Sequence, residues 1–299
     1  RTCISNGVEI YGIRRGFAGL LEGSHHKMNA ASVGNILQKG GTVLQTSRCP
    51  EFLKPEIRTE AANILKRKNI DALIVIGGNG SFNGTWLLHK EHGIPVIGIP
   101  GTIDNDIEGT DYTIGFDTAV QTAIEAVDKI RDTAHSHDRT FIVEVMGRSA
   151  GFLAAQVGVA GGAEYVLIPE RPVELPVLAA TLKNPKRQKS SSIMVVAEAD
   201  QPGRSLKIAK EVKKISGLEY KVCILGHTQR GGSPTVTDRK AGSMMGVKAV
   251  EALMAGETGK MVAIQSDQYA LVAFPDLEHA QRQFSDFELL AINNILCGV

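Results

Sequence analysis

The chain has 299 residues, of which 43% are hydrophobic, so it can bury a large core and exceeds the size at which a single core usually divides into domains. We therefore expect two domains. Its 33 Lys and Arg residues against 32 Asp and Glu residues give a net charge of +1, which excludes a global field that would attract nucleic acid or an anionic membrane.

The four cysteines predict neither a metal site nor a disulfide scaffold, because they lack ligand spacing and are few for a chain of this size. No apolar run approaches the roughly 20 residues needed to cross a bilayer. Residues 1–7 also lack the order of charged, apolar and small residues that defines a signal peptide. These features predict a soluble cytoplasmic protein.

Short apolar runs that end in Gly or a polar turn alternate with helical patterns, which is typical of a parallel sheet covered by helices. The predicted strands are Asp71–Ile76, Pro95–Ile99, Thr140–Val145, Glu164–Ile168, Ile193–Ala197 and Lys221–Leu225. The clearest predicted helices are Lys54–Lys68, Thr118–Asp132 and Arg204–Ser216, which are long enough for right-handed crossovers. The expected fold class is therefore α/β with mainly parallel sheets.

The loop after the first predicted strand is rich in glycine, and ligands bind such sheets where strand carboxyl ends meet the loops. Residues 77–84 read Gly-Gly-Asn-Gly-Ser-Phe-Asn-Gly. Missing Cβ atoms let the backbone approach phosphate oxygens, and the next helix offers free N–H groups, so the segment predicts a phosphate cradle. A tight turn that needs glycine only for its dihedral angles is the alternative. The loop lacks the Lys-Ser/Thr pair of a Walker P-loop and the G-x-G-x-x-G frame of a dinucleotide fold.

The second predicted strand ends in Pro-Gly-Thr-Ile-Asp-Asn-Asp, residues 100–106. Asp104 and Asp106 can divide the work of phosphoryl transfer, because one carboxylate can accept a proton from an attacking alcohol while the other binds a cation. An Asx-rich turn without chemistry is the alternative.

The third predicted strand is preceded by Arg139 and followed by Met146-Gly147-Arg148. An arginine at a strand's carboxyl end can bind phosphate oxygens bidentately, which indicates a phosphorylated substrate. A surface arginine that caps a neighbouring helix is the alternative. Glu198, at the end of another strand, either bonds sugar hydroxyls or is a solvated strand end.

The last polar loop, residues 225–234, reads Leu-Gly-His-Thr-Gln-Arg-Gly-Gly-Ser-Pro. His227 and Arg230 lie three residues apart at the end of a predicted strand, a spacing that suits a second phosphate clamp.

These four loops, in this order and at these separations, resemble the phosphofructokinase family, and the likeness extends through residues 8–13, 47–52 and 111–116. The resemblance implies two similar three-layer α/β/α domains, usually assembled as a homotetramer. One domain, residues 1–115 plus about 229–278, would bind ATP; the other, 116–228 plus about 279–299, would bind fructose 6-phosphate. The implied reaction is Mg²⁺-dependent transfer of the γ-phosphate of ATP to the sugar's 1-hydroxyl in glycolysis.

The resemblance also implies roles for individual residues. Asp104 matches the general base, Asp106 a magnesium-associated carboxylate, and Thr102 and Arg148 groups that steady the transferring phosphoryl group. The implied sugar-phosphate set is Asp106, Arg139, Met146, Gly147, Glu198, Lys221, His227 and Arg230, of which Arg139 and Lys221 match arginines that reach a neighbouring subunit's site. The implied ATP set is Arg48, Gly77, Gly78, Gly80, Ser81 and Gly84.

Gly80 and Gly101 favour ATP as donor, because diphosphate-dependent family members carry Asp and Lys there and the small residues leave room for a nucleotide. Asn79 stands where the family normally has Asp; its amide oxygen can still ligate Mg²⁺ but adds no charge. Lys221 keeps the charge of the family's arginine and loses its bidentate geometry.

The missing first loop of the family, together with Asn79, keeps a second hypothesis open. Residues 1–7 look like the end of the helix after the family's Gly-Gly-Asp-Ala-Pro-Gly loop, which has no counterpart here. Positions near those that bind ADP or phosphoenolpyruvate as effectors are Arg131, Glu164, Arg187 and Lys189, with Ala30 in place of an arginine. The alternative is a non-catalytic regulatory or ligand-binding homologue of the same fold. A NAD or lipid kinase shares the glycine loop but lacks the arginine and histidine loops.

Overall fold

The computed structural model describes residues 1–136, 139–182, 191–217, 219–275 and 281–297. Its strands are β1 (Tyr11–Ile13), β2 (His25–Lys27), β3 (Leu73–Gly77), β4 (Val96–Thr102), β5 (Ile114–Gly115), β6 (Thr140–Val145), β7 (Tyr165–Leu167), β8 (Ser192–Ala197), β9 (Tyr220–Ile224), β10 (Lys260–Gln265) and β11 (Gln268–Ala273). Its α-helices are α1 (Thr2–Ser5), α2 (Gly16–Leu21), α3 (Pro55–Arg67), α4 (Asn79–His92), α5 (Phe116–Ser136), α6 (Phe152–Ala160), α7 (Leu175–Leu182), α8 (Arg204–Ser216), α9 (Val236–Met254) and α10 (Phe287–Cys297). Short 3₁₀ helices span Pro50–Leu53 and Gly226–Arg230.

The chain divides into two compact units. Unit 1 holds Arg1–Thr102, Ile107–Ile114 and Ser233–Gln281, and unit 2 holds Ile103–Asp106, Gly115–Gly232 and Arg282–Val299. The assignment of an ATP domain and a sugar-phosphate domain, with its boundaries near residues 115, 228 and 278, stays a prediction.

The sheet of unit 1 has the strand order β11-β10-β4-β3, with β5 paired to β4. β4 runs parallel to β3 and to β10, whereas β10 and β11 form an antiparallel hairpin. Helices α3 and α4 cover one face and α9 covers the other. β4 is buried from Val96 to Pro100 because both of its faces are covered, as is usual for the central strand of such a sheet.

Helix α3 shows how local sequence sets an element of unit 1. Pro55 opens the first turn, where its missing N–H costs nothing, and Lys66 with Arg67 lies at the negative end of the helix dipole. Arg58 is buried, and its Nε lies 2.6 Å from a Glu91 carboxylate oxygen on α4. The range predicted from sequence, Lys54–Lys68, is longer than α3 by one residue at each end.

The sheet of unit 2 has the order β7-β8-β6-β9, and its strand pairs are all parallel. Helices α7 and α8 pack on one face, and α5 and α6 pack on the other, which gives three layers around a buried sheet. Every residue of β8 is buried. β6 occupies the range predicted from sequence, as does α8, which lies between Gly203 and Gly217, both in left-handed conformation.

Two differences from the predicted elements have physical causes. β4 runs on through Pro100 and Gly101 to Thr102, because its parallel pairing with β3 continues to the Gly77 and Pro100 pair. The β10–β11 hairpin was not predicted. Its turn residues, Ser266 and Asp267, adopt positive φ without the Asn-Gly or Asp-Gly sequence that usually marks such a turn. Within the described ranges, no helix is both long and apolar enough to span a membrane.

Candidate functional site

The glycine loop of unit 1 joins β3 directly to α4. β3 ends at Gly77, Gly78 is the N-cap, and Asn79 is the first helical residue, so the free N–H groups of the helix start lie at the carboxyl end of the strand. A Cβ on Gly77 would lie 2.7 Å from the Ser81 Cβ, so glycine is required for this close approach. An added Cβ on Gly80 would meet no atom within 4 Å, and its surface is exposed. The loop can therefore present its backbone to an anion.

Thr102 ends β4 beside this loop. A Cβ added to Gly78 would lie 3.5 Å from the Thr102 Cβ, and the Thr102 carbonyl accepts a hydrogen bond of 2.7 Å from the buried Thr113 hydroxyl. The strand end that carries Thr102 is thus fixed against the glycine loop.

The two remaining predicted ATP residues have different surroundings. Gly84 is buried one turn into α4, where a Cβ would lie 2.9 Å from a ring carbon of Phe52. Phe52 stacks on Phe17 with ring centroids 3.8 Å apart, so packing accounts for this glycine. Arg48 is exposed and precedes the 3₁₀ helix that carries Phe52.

Three polar residues are buried together at the start of unit 2. Asp104 is 5% exposed, Asn105 4% and Asp106 3%. Asn105 has φ of +52°, a left-handed conformation that asparagine tolerates. The Asp104 Oδ2 lies 3.3 Å from Nε of Arg148, and the Asp106 carbonyl accepts a 3.0 Å hydrogen bond from the backbone of Arg282. The Arg148 guanidinium compensates the charge of the buried Asp104 carboxylate.

Arg148 lies in a six-residue segment, Met146–Gly151, which we name the Arg148 loop. Gly147 has φ of +121°, and a Cβ there would lie 2.9 Å from the carbonyl oxygen of Ala150, so the turn requires glycine. Arg148 itself has φ of +50°, a conformation that costs a non-glycine residue about 1–3 kcal/mol. Its side chain is 60% exposed although Met146 and Ala150 are buried. The fold therefore holds Arg148 in a strained backbone conformation, and the guanidinium points outward beside Asp104.

Glu198 follows β8 and is buried with 9% exposure, so it is not the solvated strand end of the alternative interpretation. Burial raises the pKa of its carboxyl above the usual value, and the charges of Asp104 and Glu144 add to the rise. The backbone N–H of Arg148 and the positive charge of Arg230 oppose that rise in pKa. Glu198 thus belongs to one electrostatic cluster with Asp104 and the Arg148 loop.

The 3₁₀ helix Gly226–Arg230 follows β9 and carries the predicted phosphate clamp. His227 and Arg230 are exposed, while Gln229 between them is 1% exposed. The Gln229 Oε1 accepts a 2.9 Å hydrogen bond from the backbone N–H of Met146. The structure therefore joins the arginine and histidine loops, which the sequence showed only as separate segments.

Sequence reasoning missed two carboxylates of unit 2, the buried Glu144 and the partly buried Glu170. Glu144, 1% exposed in β6, accepts hydrogen bonds from the backbone N–H groups of Gly203 and Ser205 at 2.7 and 2.8 Å and so caps α8. Glu170 accepts a 2.8 Å hydrogen bond from the Gly151 N–H. A charged residue inside the otherwise apolar strand Thr-Phe-Ile-Val-Glu-Val was the signal available for Glu144.

Arg139 and Lys221 are not brought together with these groups. Arg139 directly precedes β6, and Lys221 pairs with Phe141 near the start of β9, so both lie at the amino ends of their strands. Arg148 and His227 follow the carboxyl ends of the same strands, roughly 15–20 Å along the sheet for strands of this length. Both Arg139 and Lys221 are exposed, and their charges lower the pKa of Glu219 after the larger effect of Lys213.

The predicted effector residues that are described take part in the framework of unit 2. The Arg131 guanidinium donates to the Gly162 carbonyl at 2.8 Å and to that of Gly161. Glu164 is 2% exposed and accepts a 2.8 Å hydrogen bond from the backbone of Ile193. Arg187 and Lys189 lie outside the described residues.

The magnesium ligands expected from the sequence stay predictions: in unit 2 Asp106 carries a buried carboxylate, and in unit 1 Asn79 carries an amide. Among the described residues, no three His, Cys, Asp or Glu side chains form a metal cage. Mg²⁺ usually keeps several waters and takes one or two protein oxygens with phosphate oxygens, so these hard oxygen donors fit that ion. Unit 2 offers a base and a guanidinium, and unit 1 offers a backbone anion cradle, and phosphoryl transfer uses groups of each kind.

Comparisons with known proteins agree with this chemistry. The family model described as Phosphofructokinase matches residues 1–253. The chain is 52% identical over its whole length to the ATP-dependent 6-phosphofructokinase of Coxiella burnetii, covering 92% of that protein. It is 52% identical over 257 residues to ATP-dependent 6-phosphofructokinase 1 of Thermus thermophilus, covering 86% of this chain and 80% of that one. A solved phosphofructokinase from Saccharomyces cerevisiae superposes with a TM-score of 0.84 at 30% identity over 99% of this chain and 43% of the yeast chain.

Proposed function

The chain belongs to the phosphofructokinase family, and we propose that it transfers the γ-phosphate of ATP to the 1-hydroxyl of fructose 6-phosphate, giving fructose 1,6-bisphosphate and ADP. It is an enzyme of the ATP-dependent 6-phosphofructokinase class, as are the relatives at 47–52% identity. The observation that carries the mechanism is the buried Asp104 carboxylate with the Arg148 Nε at 3.3 Å. One group is a proton acceptor and the other is an anion ligand.

The reaction moves one proton and one phosphoryl group. Asp104 accepts the hydroxyl proton as the new O–P bond forms and the bond from the γ-phosphorus to the ADP oxygen breaks. The Arg148 guanidinium turns from Asp104 to the equatorial phosphoryl oxygens, where negative charge accumulates. The Arg148 side chain is 60% exposed, so its guanidinium is free to turn, while the buried Asp104 carboxylate then loses its compensating charge.

On the donor side, the phosphates of ATP bind the backbone N–H groups of residues 78–81 at the start of α4. The open surface at Gly80 supports ATP rather than diphosphate, since no side chain takes the space of the nucleotide. Bound Mg²⁺ would neutralise phosphate charge, with Asp106 and Asn79 as protein oxygen donors.

On the acceptor side, the loops at the carboxyl ends of β6, β8 and β9 bind the sugar phosphate. The proposed groups are the backbone at Met146 and Gly147 together with the side chains of Glu198, His227 and Arg230. Arg139 and Lys221 lie at the other end of the same strands, which supports their service in the site of a neighbouring subunit. The complete enzyme would then be an oligomer, and we propose a homotetramer. It would work in the cytoplasm and be regulated by effectors.

The test is product formation by the wild-type protein. With MgATP and fructose 6-phosphate we expect stoichiometric fructose 1,6-bisphosphate and ADP, measured by ion-exchange chromatography of the quenched mixture. Diphosphate in place of ATP should give no product, and fructose without its 6-phosphate should react poorly because it cannot engage Arg230. No bisphosphate with either donor would refute the proposed activity.

A further inference from the structure

The Arg148 loop is attached at both ends to side chains from other segments of unit 2. At its start, the backbone N–H of Met146 donates to Gln229 Oε1 at 2.9 Å. At its end, the backbone N–H of Gly151 donates to Glu170 Oε1 at 2.8 Å. Within the loop, the backbone N–H of Ala150 donates to the Gly147 carbonyl at 3.1 Å. Both ends of the loop are therefore held by acceptors on other segments.

Gln229 is placed to act on two substrate-facing segments at once. It lies on the 3₁₀ helix between His227 and Arg230, and it is 1% exposed although both neighbours are exposed. Its Oε1 bond to Met146 fixes that helix relative to the start of the Arg148 loop. Without the Gln229 oxygen, the backbone N–H of Met146 would be buried without this acceptor, which costs about 1–3 kcal/mol. We therefore expect the loop to shift when the oxygen is removed.

Glu170 fixes the other end of the loop. The same Oε1 that binds Gly151 also accepts a 2.9 Å hydrogen bond from the backbone N–H of Phe284, so one oxygen joins three segments. Gly151 is the N-cap position of α6, where a carboxylate is favoured by the free N–H groups and the helix dipole.

We propose that Gln229 and Glu170 are positioning residues that together hold the Arg148 loop in its strained conformation, so that the Arg148 guanidinium stays beside Asp104. Neither residue is placed among the groups that touch substrate. The inference rests on the proposed function for its kinetic consequence. The structural consequence, that two side-chain oxygens hold the ends of the loop, does not depend on that function.

Matched variants separate the acceptor oxygen from the bulk of each side chain. Gln229→Met and Glu170→Met remove the acceptor at nearly constant size, whereas Gln229→Glu and Glu170→Gln keep an oxygen in the same place. Asn293→Leu is the control, because Asn293 is also a buried amide of unit 2 but donates to the Ala163 carbonyl at 2.9 Å, outside the loop.

Two readouts are measured on the full-length enzyme. Hydrogen exchange followed by mass spectrometry on peptides spanning 143–152 should show roughly 10-fold weaker protection in both Met variants, corresponding to a lost buried hydrogen bond. The kcat/KM for fructose 6-phosphate should fall by roughly 10-fold in the same variants, while the KM for MgATP changes by less than about twofold. The oxygen-keeping variants should recover most of both losses.

The outcomes separate this inference from the function it rests on. Asn293→Leu should lower Tm without changing exchange in 143–152 or the KM for fructose 6-phosphate. Unchanged exchange in the Met variants would overturn the proposal even if the enzyme is inactive on fructose 6-phosphate. Weaker protection with unchanged kcat/KM would show that the oxygens are structural only, and it would also overturn the proposal.

Discussion

The glycine loop of unit 1 and the Arg148 loop of unit 2 occupy equivalent places, each after a parallel strand and before a helix, yet they are built in opposite ways. In the glycine loop the absence of side chains is essential, since Gly77 lets Ser81 approach closely and Gly80 leaves open surface. In the Arg148 loop the side chains are essential, since Arg148 pairs with Asp104 while Gln229 and Glu170 hold the ends of the loop.

This difference teaches that an anion can be held by two separate means. A backbone cradle can still bind its anion when a neighbouring side chain changes, but an added Cβ atom on one of its glycines interferes with that binding. A guanidinium loop tolerates changes of neighbouring bulk but not the loss of its charge or its supports. Asn79, which stands where the family pattern has Asp, lies in the glycine loop. A changed side chain there is expected to affect anion binding less than a changed side chain in the Arg148 loop.

The largest effect on this comparison is expected from Arg148→Met. Loss of the guanidinium removes charge stabilisation of the phosphoryl group, so kcat should fall roughly 100-fold or more, as when one transition-state donor is deleted elsewhere. Arg148→Lys keeps the charge without the planar fork and should lose less. Steady-state kinetics check both variants, and a kcat for Arg148→Met close to that of the wild type would remove the contrast between the loops.

The next largest effect separates two glycines of the other loop. Gly77→Ala should destabilise the protein by about 1–3 kcal/mol, because the new methyl group meets the Ser81 Cβ at 2.7 Å. Gly80→Ala meets no protein atom, so its Tm should stay the same while its KM for MgATP rises. Thermal denaturation and kinetics measure the pair. Equal behaviour of the two variants would mean that the loop does not present its open surface to the donor.

A smaller effect is expected from Glu198→Gln and depends on pH. Because the folded pKa of Glu198 is raised, mainly by burial, its contribution to stability is present below the ordinary glutamate pKa and is lost as pH rises through the raised value. The difference in Tm, variant minus wild type, should therefore become more positive from about pH 4 to about pH 8. Thermal denaturation across that range checks the sign. A difference that shrinks with rising pH would contradict the buried environment of this carboxyl.

The smallest effect is expected from Asn79→Asp. A carboxylate at the start of α4 adds a charged oxygen for Mg²⁺ and also suits the positive end of the helix dipole. The Mg²⁺ concentration for half-maximal rate should fall by roughly 2–10-fold, corresponding to about 0.4–1.4 kcal/mol, with little change in kcat. Rate against free Mg²⁺ at fixed ATP measures it. An unchanged magnesium dependence would place Asn79 outside the metal's surroundings.

Elements set by local pattern were predictable from the sequence. β6 and α8 have their predicted bounds because an apolar run between polar ends, or a periodic helix between two glycines, defines them without help from the rest of the chain. The end of β4 was not predictable, since it depends on pairing with β3, and the β10–β11 turn lacks the usual residues.

The candidate site was predictable only in part. Asp104 and Arg148 were identified by position after strands, but their 3.3 Å pairing depends on how distant segments meet. Gln229 and Glu170 carry no local signal, because an amide or carboxylate that accepts a backbone hydrogen bond looks in sequence like any polar loop residue. The placement of Arg139 and Lys221 at the far ends of β6 and β9 likewise follows from strand direction alone.

The most direct test of the proposed division of labour is a rapid-quench measurement of the transfer step in Asp104→Asn. The amide keeps the shape and can still face Arg148, but it cannot accept a proton, so we expect the rate of γ-phosphate transfer to fall by roughly 100-fold or more. Binding of MgATP and of fructose 6-phosphate, measured separately by calorimetry, should stay within about threefold of the wild type. A transfer rate within about tenfold of the wild type would contradict Asp104 as the proton acceptor.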